Sequence, residues 1–159
     1  MKPYADTSFL VRLLVRDADN AAADAAHRKI GRPFLIYTPY HNLEVTNALR
    51  LRTFMAGHGS GPATKRQAKR EEAEALRRLK NCLTTGRFLD STMPWEAATD
   101  RAVRLSEDHC HRLGVRGFDI LHVAAALEWP GTDFITCDLR RAALAKAAGL
   151  KVTLVQRTK

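Results

Sequence analysis

The chain has no long hydrophobic run. The longest, Ile120–Leu127, is already interrupted by His122 and falls far short of the roughly 20 apolar residues that a bilayer-spanning helix needs. The opening MKPYADTSFLVRLLVRD is broken by Asp6 and Arg12 and carries no small-residue cleavage site, so no signal peptide is expected. A cytoplasmic protein with no membrane partner is the expectation. Cysteine is scarce: Cys82, Cys110 and Cys137 are three in number and widely spaced, which argues against a disulfide framework. The triplet His109-Cys110-His111 has no second Cys/His pair, and adjacent helical residues point in different directions, so it suits a tetrahedral zinc site poorly. Internal repeats and low-complexity tracts are missing as well. The glycine-containing loop at 57–62 lacks the spacing GxxxxGK[ST] and follows no strand, which excludes a phosphate-binding P-loop there. Acidic residues are also in deficit, with 17 Asp and Glu against 26 Lys and Arg, for a net charge of +9. Such an excess favours a polyanionic partner, nucleic acid before an anionic membrane.

What is present is a chain of 159 residues, a length that fits one domain with one substantial core. Lys2–Ala5 reads as a short strand, and Asp6-Thr7-Ser8 supplies cap chemistry for a helix carrying Phe9, Leu10, Leu13 and Leu14. A helix follows from Asn20 to Ile30, then a buried strand over Phe34–Tyr37. A long amphipathic helix over 40–55 places Ala48, Leu51 and Met55 at helical spacing, with Val45 and Leu49 beside them. Residues 57–64 form a flexible break, and 65–83 a highly charged helix whose apolar positions are Ala68, Ala75, Leu76, Leu79 and Leu83. Phe88-Leu89 reads as a short strand, and Pro94 opens a helix to Leu113. An apolar helix over 118–129, a strand over 133–136, a helix over 139–148 and a strand over 152–155 complete the chain. Strands alternating with helices predict a three-layer α/β/α domain with a mainly parallel central sheet.

Four carboxylates stand out against apolar or small neighbours, where an ionised group is costly unless something compensates it. They are Asp6, Glu44, Asp119 and Asp138. Three of them, Asp6, Asp119 and Asp138, lie just before or within a first helical turn, where aspartate most often serves only as a cap. Glu44 instead lies inside the 40–55 helix, on a stripe with Asn47, Ala48 and Leu51. In a parallel sheet, Asp6 and Asp138 emerge at the same carboxyl edge, and a helix starting there brings Asp119 to the same rim. Crowded carboxylates need raised pKa values or a cation, and all-oxygen donors suit Mg²⁺ or Mn²⁺. A basic protein with an acidic metal pocket has the make-up of a nuclease. On this reading Asp6→Asn relieves repulsion, so the metal-free protein is expected to hold or gain stability.

Four segments then resemble the motifs of one family. YADTSFLVRLL, NLEVTNAL, LGVRGFDILHVAAAL and FITCDLRRAALAKAAGLKV are similar, in order and spacing, to those of the PIN-domain ribonucleases, specifically the compact VapC-type toxins of toxin–antitoxin pairs. The resemblance runs from residue 3 to about 155 and is weakest in the long charged segment 57–80. It implies an Mg²⁺-dependent endoribonuclease, with Mn²⁺ as a substitute. Asp6, Glu44 and Asp119 hold the metal, Asp138 completes the acidic set, and Ser8 and Thr136 are supporting hydroxyls. It further implies RNA as substrate, a cognate antitoxin and a homodimer. A nuclease acting on DNA or in RNA processing, or a non-catalytic nucleic-acid-binding module, are the alternatives. His122, one turn after Asp119, reads as a packed core residue rather than a ligand. Within the charged helix, Arg77 and Arg78 are candidate phosphate contacts, weighed against an ordinary solvated face that includes a Glu74–Arg78 pair.

Overall fold

The structure is a computed structural model and describes residues 3–16, 18–131 and 133–156. In chain order the elements are β1 (Tyr4–Ala5), α1 (Thr7–Leu14), α2 (Ala18–Lys29), β2 (Leu35–Tyr37), α3 (Pro39–Gly57), α4 (Pro62–Thr84) and β3 (Phe88–Asp90). Then follow α5 (Trp95–Leu113), α6 (Gly117–Glu128), β4 (Asp133–Thr136), α7 (Leu139–Ala147) and β5 (Lys151–Leu154). Lys2, expected in the first strand, lies outside the described residues. Every strand pairing among the described residues is parallel, and the protein is of the α/β class that the alternation predicts. The chain forms two compact units, Met1–Phe9 with Ser91–Gln156, and Leu10–Asp90.

In the first unit the strands run β1-β4-β5. Tyr4 pairs with Phe134 and Ala5 with Ile135, while β4 and β5 pair from Asp133↔Lys151 to Thr136↔Leu154. Parallel strands cannot be joined by a tight hairpin, so β1 reaches β4 only after more than a hundred intervening residues, and β4 reaches β5 across α7. That helix packs on both strands it connects, and α6 packs against α5 and α7. Tyr4 and Phe134 are fully buried and stack with centroids 5.9 Å apart. Helix α6 buries Ile120, His122, Val123, Ala124, Ala125 and Ala126. A helix covered on most sides shows little amphipathic period, which is why its sequence is nearly uniformly apolar. Helix α5 ends at Gly114 in the left-handed region, φ 60°. A side chain there would cost about 1–2 kcal/mol, and the turn delivers the chain to α6 with Asp119 in its first turn.

In the second unit β2 and β3 pair in parallel from Leu35↔Phe88 to Tyr37↔Asp90. Thr38 caps α3 by accepting from His41 N, and His41 Nδ1 accepts from Thr38 N at 3.2 Å. A buried histidine thereby fills the place that Glu or Gln takes in a capping box. Helices α3 and α4 pack together, with Val45 and Leu49 buried on one and Ala68, Ala75, Leu79 and Cys82 on the other. This corrects the expected α3 stripe. Leu51 and Met55 are 53% and 66% exposed, because the core takes the i, i+4, i+8 row His41, Val45, Leu49 rather than the apolar row beside it. On α4, Leu83 is likewise exposed and Cys82 is buried in its stead.

His27 on α2 is fully buried, and its Nε2 lies 2.8 Å from the Pro33 carbonyl. A carbonyl only accepts, so Nε2 carries the proton and Nδ1 accepts from Arg87 at 3.4 Å. Burial pushes the His27 pKa below its ordinary 6.5, against the opposing pull of the Pro33 carbonyl. The unfolded chain therefore binds this proton more readily. Stability supplied by neutral His27 is present above about pH 6.5 and is lost as pH falls toward the folded value.

Two expectations follow from this packing. Leu49→Ala should lower unfolding free energy by about 2–5 kcal/mol, and Leu51→Ala should change it by less than about 0.5 kcal/mol; denaturant melts of both variants check which row faces the core. His27→Gln, which retains an N–H for Pro33, should flatten the fall of stability below pH 6.5; an unchanged acid limb would assign that fall to carboxylates instead.

Candidate functional site

The site is built at the carboxyl ends of β1 and β4. Pairing of Ala5 with Ile135 puts the next residues, Asp6 and Thr136, side by side. Asp6 is fully buried. Its Oδ1 accepts from Ser8 Oγ at 2.6 Å and from Phe9 N at 3.1 Å, and its Oδ2 from Thr136 Oγ1 at 2.6 Å and Arg141 Nη1 at 3.0 Å. The Phe9 bond is the N-cap of α1, so the capping reading of Asp6 is correct, and the cap accounts for one bond among several. Those bonds occupy the roughly four lone-pair positions of a carboxylate.

Both hydroxyls work in two directions. Ser8 Oγ donates to Asp6 and accepts from Cys137 N at 2.9 Å, and Thr136 Oγ1 donates to Asp6 and accepts from Asp138 N at 2.9 Å. The turn after β4 is thereby hung on the Asp6 carboxylate. Asp138 is the N-cap of α7, where its Oδ1 accepts from Arg140 N at 2.8 Å and Arg141 N at 3.1 Å. Asp119 stands at the third position of α6 and is buried; its Oδ2 accepts from Arg116 N at 3.4 Å and its Oδ1 from Arg141 Nε at 2.6 Å. A single guanidinium therefore joins Asp6 to Asp119, with side chains 13%, 0% and 9% exposed for the arginine and the two acids in turn.

The first unit thus brings together Asp6, Ser8, Asp119, Thr136 and Asp138. Glu44 belongs to the second unit, half-buried on α3. Among the described residues no three His, Cys, Asp or Glu side chains gather as a metal would require of an all-protein site. His122 is fully buried between two hydroxyls, Tyr4 Oη 3.0 Å from Nδ1 and Thr7 Oγ1 3.1 Å from Nε2. It serves as a core residue that ties β1 and α1 to α6. Arg78 donates to the Leu14 carbonyl and to Glu74, whose carboxyl pKa it lowers. Its guanidinium closes the end of α1, whereas Arg77 is exposed.

Arg141 was not singled out from the sequence, although a signal was there. It occupies the first turn of α7, where a cation opposes the helix macrodipole and gains from anionic company. As to a metal, the donor chemistry fits: carboxylate oxygens backed by hydroxyls suit Mg²⁺. Two carboxylates suffice for an ion that keeps several waters and takes the rest of its ligands from substrate phosphate. The meeting of both acids on one cationic group marks where positive charge is needed. A bound ion would be held by Asp6 and Asp119.

This arrangement reverses the sign expected for Asp6→Asn. Repulsion between the acids is already offset in part by Arg141, and an amide would turn an N–H₂ toward a donor while taking from the guanidinium one of its two acids. Breaking one partner out of a buried ion pair costs about 3–5 kcal/mol. Metal-free Asp6→Asn should therefore melt well below wild type, and a melting temperature equal to or above wild type would refute the ion pair as drawn.

No family model and no curated protein matches the chain. Among solved structures, the fold is similar to that of PAE2754 from Pyrobaculum aerophilum, with a TM-score of 0.55, 18% sequence identity, and alignment over 96% of this chain and 89% of that one. At that identity the likeness shows a shared fold.

Proposed function

We propose that this chain is a Mg²⁺-dependent endoribonuclease acting as the toxin of a toxin–antitoxin pair. The observation that carries the reading is the convergence of Asp6 and Asp119 on one cationic group at the carboxyl edge of a parallel sheet, the usual position of a site in such folds. A divalent ion held there would supply Lewis acidity for phosphodiester hydrolysis, activating water and offsetting charge on the phosphate. Ser8 and Thr136 hold the Asp6 carboxylate in one rotamer, and the Arg116 N–H does the same for Asp119. Asp138 fixes the start of α7. The net charge of +9 supports RNA as the polyanion, with Arg77 among its phosphate contacts. Exposed Leu43, Leu51, Phe54 and Met55 on α3 support a protein partner, antitoxin or second copy, since apolar side chains grouped in the open commonly mark such surfaces. No helix of the described residues is long and apolar enough to cross a membrane.

One observation favours a second reading. Arg141 leaves both acids paired, as in a structural staple, which would suit a non-catalytic nucleic-acid-binding module. Cleavage separates the two. Purified protein should cut RNA with Mg²⁺ or Mn²⁺, stop with chelator, and lose at least about a hundredfold in rate on Asp119→Asn, on the scale of removing one electrostatic contact to the transition state. RNA binding without metal-dependent cleavage would leave the binding module standing.

A further inference from the structure

The pairing of Asp6 and Asp119 with Arg141 contains its own charge imbalance. Two carboxylates carry −2 and one guanidinium +1, so the cluster keeps a residual charge of −1 with its members at most 13% exposed. A divalent ion would neutralise it fully. The contacts are also divided: Arg141 turns Nε to Asp119 at 2.6 Å and Nη1 to Asp6 at 3.0 Å, so one guanidinium bridges two acids. Asp6 keeps its position without Arg141, held by Ser8, Phe9 and Thr136, and Asp119 also accepts from the Arg116 N–H at 3.4 Å. Arg141 itself stands in the first turn of α7, beside the backbone N–H groups that Asp138 caps, where its charge opposes the helix dipole.

We propose that Arg141 is the site's built-in counter-cation: it occupies the position between Asp6 and Asp119 that a divalent ion would take, and the two compete for it. This deepens the metal reading given above and rests on it. Metal affinity then includes the cost of displacing Arg141, and the metal-free protein is protected from the repulsion of two uncompensated buried acids. An ion bound between the acids would leave the Arg141 guanidinium available to a substrate phosphate.

The test uses the full chain and the metal alone, Mg²⁺ or Mn²⁺ without RNA, followed by calorimetric titration and thermal shift. Arg141→Gln and Arg141→Met remove the charge with different stem volumes, so that one can report if the other fails to fold; Arg141→Lys keeps the charge. The Gln and Met variants should melt lower without metal and bind the ion at least about tenfold more tightly than wild type, the loss of one close unit charge being worth that much even at high effective dielectric. Arg141→Lys should bind close to wild type, and adding Asp119→Asn should abolish the gain. Equal affinity in wild type and in Arg141→Gln or Arg141→Met, with binding still lost on Asp119→Asn, would overturn the competition and leave the metal reading intact. Binding by none of the proteins would overturn both.

Discussion

The Asp6 carboxylate is the anchor on which the first unit depends. It is fully buried, at the end of a strand only two residues long, and so short a strand cannot fix its own register. The carboxylate does so instead. Phe9 N ties it to α1, Thr136 to the end of β4, Ser8 to the turn that follows, and Arg141 to α7 and, through Asp119, to α6. An ionised group at that depth would be prohibitive alone, and its complete set of donors is what makes it tolerable. The same donors converge elements separated by more than a hundred residues, so the polar cluster specifies topology as well as charge.

This dual use joins stability to the candidate chemistry. Asp6, Ser8 and Thr136 are needed to seat the loop after β4 whether or not the protein is an enzyme. A substitution among them is therefore read through folding before activity. Arg141 is the member whose removal separates the two, since the acids retain other hydrogen bonds without it. A protein with a net charge of +9 that spends one of its few well-buried cations on bridging two acids is using that charge locally, apart from any attraction of its surface for polyanions.

The second unit is organised by apolar packing. Helices α3 and α4 share a core of Val45, Leu49, Ala75 and Leu79, while a neighbouring apolar row on α3 stays exposed. Two rows on one helix are more than one packing partner can cover. The uncovered row leaves Leu43, Leu51, Phe54 and Met55 exposed on α3, while much of α4 presents charged side chains to solvent. Arg78 shows how a residue on that face can instead be drawn into the fold, as the carbonyl groups at the end of α1 need donors.

The sequence alone was sufficient for the α/β class and the order of the elements, because caps, Gly and Pro breaks and hydrophobic period act over a few residues. The break expected at 57–64 was too long: α3 runs through Gly57 and α4 already starts at Pro62, since proline is well suited to a first helical turn. The sequence also marked Asp6, Asp119 and Asp138 by their burial context and by parallel-strand logic, and it placed His122 in the core. It could not decide which of two apolar rows on α3 faces inward, since both satisfy the helical period and only the packing partner distinguishes them. Nor could it decide the charge state of the acidic cluster. Carboxylates in crowded positions imply a counter-charge without naming it, and Arg141 is adjacent to Asp6 only through the pairing of β1 with β4. Local chemistry sets where each side chain can point; which opposite charge it meets is settled when distant segments close on one another.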